Sequence, residues 1–354
     1  MSNKESITKL EESLERLKNK ESVIYFLTYD TRNNARASVK HIYDLALTLK
    51  ERGFNAKILV EDKTYIGVSS WLGDEYNTLP ILTIKDDRVE IQVDDAIVVP
   101  EFYSNVMENL ANIKCSNIML VQQRDYIFET LPIGSRWSDY GFDFAITTTQ
   151  STKDYINKIF PEAFVHIIPP MIGDNFRPND KLDKPIISIL CRDRSVNKRI
   201  ISEFYLKYPQ LRWITFRDMN QLTYEEFADS LRETFVSVWV DDESTFGTFP
   251  LECMKSGVPL IAKIPNNEPD WIDENAIWTY DISKMIELLG TYVLAWLDGV
   301  GITEELKTKM KETLLPYETE VTKNNIESIF NSFLKRRIET IEKALSKVTI
   351  EETA

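Results

Sequence analysis

A chain of 354 residues, 43% of them hydrophobic, is long enough for two domains of ordinary size, each with its own core. The net charge of −14 disfavours non-specific binding to nucleic acid or to an anionic membrane. Three scattered cysteines (Cys115, Cys191, Cys253) exclude a disulfide framework and read as reduced thiols; with no stretch near the roughly 20 apolar residues of a membrane span, and no signal-peptide pattern in MSNKESITKLEESLERLKNK, the expected location is the cytoplasm, peripheral membrane association left open.

In chain order, residues 3–20 carry Ile7, Leu10, Leu14 and Leu17 at helical spacing. They predict a helix packed on the body, or one that mediates a homodimer. VIYFLTY (23–29) predicts a buried strand, Ala37–Arg52 a helix closed by Gly53, and Ala56–Val60 the next strand, which together make a βαβ unit. The first strand-to-helix turn, Thr31 to Arg36, contains no glycine; its Arg32, Asn33, Asn34 and Arg36 suit an anionic or hydroxyl-rich ligand. Strands follow at Ala96–Pro100, which ends at Glu101, and at Asn117–Val121. The polar block Gln122-Gln123-Arg124-Asp125-Tyr126 comes directly after that second strand. A strand at Phe144–Thr147 and a helix through Ile159 precede VHIIPPMIGDNFRP (165–178), and the Pro-rich charged run to Pro185 marks a domain boundary. His41 and His166, the two histidines, read as packed side chains.

The second half opens with the strand Ile186–Leu190, the basic loop 191–199 (Arg192, Arg194, Lys198, Arg199) and the helix IISEFYLKY. A strand over Leu211–Phe216, a turn at Arg217–Asn220 and a helix over Leu222–Leu231 lead to the strand Phe235–Val240. Strand and helix alternate throughout, which predicts parallel sheets covered by helices. The segment DDESTFGTFPLECMKSGVPLIA (241–262) then places an acidic turn and a glycine-containing loop after a strand. Pro250 is expected to open a helix, Glu252 to lie in its first turn and Gly257 to close it. Open α/β sheets bind ligands at this edge, where a helix N-terminus offers N–H groups and partial positive charge to a phosphate. A carboxylate beside them accepts from ligand hydroxyls, so the pairing suits a sugar nucleotide. Asn266-Asn267-Glu268 follows the next strand, and beyond Trp271 the pattern predicts helices, ending in an amphipathic one over 324–346. The Asp241-Asp242-Glu243 run is the nearest approach to a metal site, and Gly299-Val300-Gly301 has no strand before it to make it a dinucleotide loop.

The segment resembles the donor-site signature of GT-B glycosyltransferases of family 4, in which two Glu eight positions apart flank a Gly-Phe-Gly loop and a Pro. Glu252-Cys253-Met254, Gly257 and Pro259 match its second half, and Phe246-Gly247 match the loop. At the first Glu position this chain has Ser244, with Glu243 one residue earlier. The block at 122–126 is similar to a Val-Gln-Asp-Tyr-Glu block of some bacterial members, rhamnosyltransferase-like ones among them.

The resemblance implies two Rossmann-like domains facing a cleft, with a C-terminal helix crossing back to the first. The expected divisions are residues 1–178, 179–322 and 323–354. It further implies transfer of a sugar from a nucleotide-sugar donor to a glycan or glycoconjugate, with retention of configuration and no metal or other cofactor. Arg192 and Lys198 would hold the diphosphate, with Arg194 and Arg199 as competitors for each role, and Glu243 or Ser244 would meet the donor sugar. Thr245, Phe246, Gly247, Thr248 and Phe249 would line the donor, Glu252 would bind its ribose, and Arg217 would border the base. Asn33, Asn34, Arg36, Gln122 and Arg124 would face the acceptor. A nucleic-acid base or a protein acceptor, and a noncatalytic subunit that keeps the fold, are the alternatives. The missing Gly-x-Gly-x-x-Gly after the first strand stands against a nucleotide-cofactor oxidoreductase.

Overall fold

The computed structural model describes residues 3–61, 63–85, 89–103, 110, 113, 115–179 and 185–353. It divides into two compact units, one of Met1–Ser69, Gly73–Pro169 and Thr322–Ala354, the other of Ser70–Leu72 and Pro170–Val321. Residues 180–184 of the expected linker lie outside the described residues.

The first unit is built on seven parallel strands: β1 (Val23–Leu27), β2 (Asn55–Val60), β3 (Ile81–Thr83), β4 (Ala96–Pro100), β5 (Ser116–Val121), β6 (Phe142–Thr147) and β7 (Phe164–Ile167). Their order is β3-β2-β1-β4-β5-β6-β7, so the direction of winding reverses between β1 and β4. The central strands are buried along their whole length, which is why VIYFL and AIVVP read as unbroken apolar runs. Helix α1 (Asn3–Lys18) buries Leu17, and its Arg16 reaches Asp94 and Asp95 at 3.0 and 3.2 Å, which ties it to the unit's own body. Helix α2 (Ala37–Glu51) buries Val39, Ile42, Leu45 and Leu49 on one face. Short α3 (Ile127–Thr130) and α4 (Gln150–Ile159) complete the crossovers.

The second unit has five parallel strands: β8 (Ile186–Cys191), β9 (Thr215–Asp218), β10 (Thr234–Val240), β11 (Leu260–Lys263) and β12 (Ile277–Thr279). The order is β12-β11-β10-β8-β9, and the winding reverses between β8 and β10. The helices are α5 (Arg194–Lys207), α6 (Tyr224–Arg232), α7 (Thr248–Lys255), α8 (Ile282–Leu297) and α9 (Glu304–Leu314). They cover both faces, with one core around Trp239, Phe249 and Leu251 and the other around Ile189, Phe204 and Leu289. From Thr322 onward the long helix α10 (Thr319–Thr353) belongs to the first unit, where it buries Ile326, Phe330 and Phe333. Lys323 meets Glu51 there at 2.8 Å.

Several boundaries differ from the sequence reading. The strand expected at Leu211–Phe216 begins at Thr215, because Leu211 and Ile214 are buried as anchors of a turn whose Ile214 carbonyl accepts from the Tyr205 hydroxyl at 2.6 Å. Arg217 therefore lies within β9 and not in the turn after it. Edge strands β3 and β12, three residues each, were not expected, and β12 stands at the start of the stretch read as helical. Helix α5 starts at Arg194, so Lys198 and Arg199 are helical residues and not part of a loop.

Candidate functional site

In the second unit the reversal between β8 and β10 brings two loops to one point on the carboxyl edge, where sheets of this kind bind ligands. Arg192, directly after β8, lies there. Its backbone N–H donates to the Val240 carbonyl at 3.1 Å, and its Nε and Nη1 meet Asp241 at 2.7 Å and Glu243 at 3.2 Å. The guanidinium is nearly half exposed, at 46%, so it is anchored on one side and open to solvent. Asp242 pairs with Lys263, and the Asn266 amide donates to the Asp242 carbonyl at 3.1 Å. The acidic run is thus turned onto cations of its own unit. Among the described residues no group of three or more His, Cys, Asp or Glu side chains is arranged to hold a metal.

The loop after Glu243 is packed into its own unit. Ser244, Thr245 and Phe246 are buried, and Trp271 donates its indole N–H to the Phe246 carbonyl at 2.7 Å. Gly247 has φ +73°, and a Cβ there would come within 2.8 Å of the Trp239 ring, so only glycine fits both the backbone and the space. Gly247 is the N-cap of α7, so the cap residue itself offers the helix no side-chain bond, and the first turn carries no acid. The helix opens at Thr248, two residues before the expected start. Pro250 still falls among the first four residues, whose N–H groups have no helical partner. Glu252 consequently lies in the second turn and not the first; it is 7% exposed. Gly257, at φ +70°, ends the helix with its N–H on the Met254 carbonyl at 3.0 Å.

The neighbouring α5 is different. Asp193 caps it, accepting from the Ser195 amide at 2.7 Å and its hydroxyl at 2.9 Å, and these bonds hold the carboxyl below the usual carboxylate range. An anion at this helix end meets a carboxylate already in place. Lys198 is exposed on α5, and Arg217 is held by Glu233 at 2.6 Å, beside the amino end of β10. Arg192 comes together with Asp241 and Glu243 at the start of the donor loop, whereas the structure turns Arg217 toward the opposite edge.

In the first unit the corresponding point lies between β1 and β4. The turn after β1 reaches its helix without glycine by placing Arg32 (φ +50°) and Asn33 (φ +62°) in the left-handed region. The Asn34 side chain donates to the Thr31 carbonyl at 2.9 Å, and Arg36 is the extended N-cap of α2 with no side-chain cap bond. Gln122, after β5, donates from Nε2 to the Ser38 carbonyl at 3.1 Å, joining the 122–126 block to the first turn of α2. Arg124 lies over the Tyr155 ring at 5.3 Å. Beneath the block sits Glu101, a residue the sequence reading noted only as a strand end. It is 1% exposed and accepts from the Gln123 N–H at 2.7 Å. Burial pushes its carboxyl up to about 7, against the opposing pull of the backbone bonds from Gln122, Glu101 and Gln123. His41 is buried on α2 and lowered to about 3, first by burial and then by Lys40; His166 stacks on Phe144.

No protein-family model matches the chain. It is 27% identical over 274 residues to an α-1,6-glucosyltransferase of Actinobacillus pleuropneumoniae serotype 7 (strain AP76), covering 71% of this chain and 78% of that protein. Among solved structures, a sucrose-phosphate synthase from Thermosynechococcus elongatus superposes with a TM-score of 0.62 at 11% identity, over 89% of this chain and all of the other. The pneumococcal O-GlcNAc transferase GtfA, in complex with UDP and GlcNAc, gives 0.60 at 10% identity, over 90% and 99%. The Anabaena protein HepE, in complex with UDP-glucose, gives 0.62 at 9% identity, over 88% and 99%. No helix among the described residues is long and apolar enough to cross a membrane. The likenesses agree with the strand orders in establishing the architecture: two parallel sheets, each a Rossmann-like domain, in the GT-B glycosyltransferase fold.

Proposed function

We propose that the protein is a nucleotide-sugar-dependent glycosyltransferase of the family 4 type, which moves a glucosyl group from UDP-glucose to a glycan or glycoconjugate acceptor in the cytoplasm. The observation that carries the reading is the pairing of Arg192 with Asp241 and Glu243, which opens the loop leading to the glycine-capped end of α7, at the reversal point of the second sheet. The α-1,6-glucosyltransferase relative and the UDP-glucose complex of a fold neighbour point to the donor.

In this reading the second unit holds the donor and the first unit the acceptor. As the glycosidic bond breaks, charge grows on the leaving nucleoside diphosphate. Arg192 and the N–H groups of Thr248 and Phe249 are fixed before the reaction and stabilise that charge without reorganising. Arg192 is oriented by Asp241 and Glu243, so its geometry does not depend on the substrate. Glu252 accepts from the ribose hydroxyls, and Glu243 or Ser244 meets the donor sugar. With these cations and dipoles the transfer needs no metal, and the sugar leaves with its anomeric configuration retained.

The test is incubation of the purified protein with a panel of nucleotide sugars in the presence of a chelator, with isomaltotriose as acceptor, reading UDP release and thermal shift. Release of UDP from UDP-glucose, increased by the acceptor, is the expected result. A thermal shift with no turnover favours a noncatalytic subunit. No response to any donor overturns the reading.

A further inference from the structure

The amino edge of the second sheet carries a cavity that the donor chemistry does not use. It lies where β10 begins, beside the turn that ends α7 and the carboxyl half of α8, and its volume is about 190 Å³. Every residue that lines it belongs to the second unit. β10 leads from this cavity to the donor loop over seven residues, roughly 20 Å at about 3.3 Å per residue, so the two places are separate ends of one strand. Part of the lining is aromatic. Tyr292 and Trp296 stand one turn apart on α8, both half-buried, and both pack on Phe235, with ring centroids at 6.5 and 4.4 Å. The rest is largely polar. Arg232 donates from Nη1 to the Asn175 carbonyl at 3.2 Å and pairs with Asp229, while the Asn179 side chain donates to the Arg232 carbonyl at 3.0 Å. Ser256, 3% exposed, has a hydroxyl with no hydrogen-bond partner among the described residues, a deficit that natural interiors rarely leave standing. Gly301, from the Gly299-Val300-Gly301 stretch that no strand precedes, also lines the cavity, and a Cβ there would meet nothing within 4 Å.

These residues select a ligand by charge and shape. Arg232 is the one charged residue of the lining, and Asp229 already pairs with it, so neither an anion nor a cation finds a counter-charge there. A purely apolar ligand would leave the Ser256 hydroxyl and the guanidinium edge unmatched. A neutral sugar ring matches both parts: its C–H faces lie on aromatic rings, and its hydroxyls exchange hydrogen bonds with serine and arginine. We propose that this cavity is a second glycan-binding site, which takes one neutral hexose unit of a long acceptor and keeps the polymer on the unit that holds the donor. The role in transfer rests on the reading of the acceptor as a glycan; the binding of sugar does not. Holding one part of the polymer raises the effective concentration of the rest at the donor edge without any new contact there.

The first measurement is sugar binding without any donor. The intact protein is labelled with fluorotryptophan, and the Trp296 signal, identified by its loss in Trp296→Phe, is followed by fluorine NMR during titration with isomaltotriose, maltotriose and cellotriose. A saturating shift is expected with at least one of them, with a Kd on the order of 1 mM, as suits a site for a single ring. Gly301→Leu is expected to abolish it: the new side chain crowds the cavity, nothing is removed from the core, and the backbone there is not left-handed. A Trp296 signal that moves with none of the three sugars, or that moves as much with inorganic phosphate, overturns the proposal whether or not the protein transfers sugar. A shift that persists unchanged in Gly301→Leu places the sugar elsewhere and overturns it as well. In transfer from UDP-glucose, Gly301→Leu is expected to raise the KM for dextran about tenfold and to leave the KM for isomaltotriose, which is too short to reach both places, unchanged. An equal rise for both acceptors overturns the holding role. A saturating Trp296 shift in a protein that releases no UDP supports the site and counts against the transferase reading alone.

Discussion

Arg192 and Asp241 meet at 2.7 Å across the ends of two neighbouring strands, β8 and β10, at the reversal point of the second sheet. At 46% side-chain exposure of the arginine, this ion pair contributes little to stability. Its consequence is orientation. Arg192→Ala is expected to leave the melting temperature within a degree or two and to reduce turnover of UDP-glucose by a factor on the order of 100 or more, as for other lost charge-stabilising contacts. Asp241→Asn is expected to cost less, because Glu243 still holds the guanidinium at 3.2 Å. Lys198→Ala, on an exposed helical position, is expected to cost less than either. Steady-state kinetics on the three variants decides; near-normal turnover of Arg192→Ala moves the diphosphate elsewhere.

Gly247 is required twice over. Its φ of +73° costs an L-residue about 1–2 kcal/mol, and a Cβ would stand 2.8 and 3.0 Å from two atoms of the Trp239 ring. Gly247→Ala is expected to destabilise the second unit by roughly 2 kcal/mol or more and to weaken UDP-glucose binding with it. Gly257→Ala serves as the comparison. It shares the positive φ, and a Cβ there meets two Pro178 atoms at 3.3 Å, a tight contact but a milder one than at Gly247, so its cost is expected to be smaller and donor affinity is expected to hold. Urea unfolding with donor titration separates the two.

What the sequence disclosed followed from how far each signal reaches. β1, β4, β5, β8 and β10 are buried on both faces, and their uninterrupted apolar runs were legible at once. β3 and β12 were not, since three residues at a sheet edge carry too little pattern to register. The start of β9 was misplaced because buried Leu211 and Ile214 look like strand residues while anchoring a turn. The left-handed Arg32 and Asn33 were hidden because neither is glycine. Glu101 was invisible as a site because its partner Gln123 lies 22 residues away, and Gln122 meets Ser38 across 84; no local spacing encodes such contacts.

Two buried groups of the first unit set opposing pH dependences. The Glu101 carboxyl is raised from 4.5 to about 7, so the folded state holds a proton the unfolded chain has lost between those values. The stability it contributes is present below about 4.5 and disappears as pH rises through 7. The His41 imidazole is lowered from 6.5 to about 3, so the unfolded chain binds a proton the folded state refuses, and stability falls as pH drops from 6.5 toward 3. Between about 4.5 and 6.5 the two slopes, each about 1.4 kcal/mol per pH unit, cancel. The wild type is expected to show a shallower dependence there than a protein lacking either group. His41→Leu is expected to uncover a stability that falls with rising pH, and Glu101→Gln one that rises with it. Urea midpoints at pH 5 and 6.5 read both signs, and parallel profiles for all three proteins count against the two assignments.

The donor loop depends on one hydrogen bond from behind. Trp271, 6% exposed, donates its indole N–H to the Phe246 carbonyl at 2.7 Å, and the Asn275 side chain secures the Trp271 backbone at 2.7 Å. Trp271→Phe keeps an aromatic ring in the core and removes only the donor, leaving the Phe246 carbonyl buried without that bond. Such a loss costs about 1–3 kcal/mol. Because Phe246 immediately precedes the Gly247 cap of α7, the loosened loop is expected to weaken UDP-glucose binding several-fold while the first unit is unaffected. Trp278→Phe is the comparison: its indole donates to the Asp273 carbonyl at 2.8 Å and to the Asn275 side-chain oxygen at 3.1 Å, one step further from the Phe246 carbonyl. Calorimetric titration of both variants with UDP-glucose is expected to show the larger loss in Trp271→Phe, whose bond reaches the loop directly. Equal affinities would mean that the loop holds its shape through Gly247 and the Phe246–Tyr317 ring contact, at 5.5 Å, without the indole.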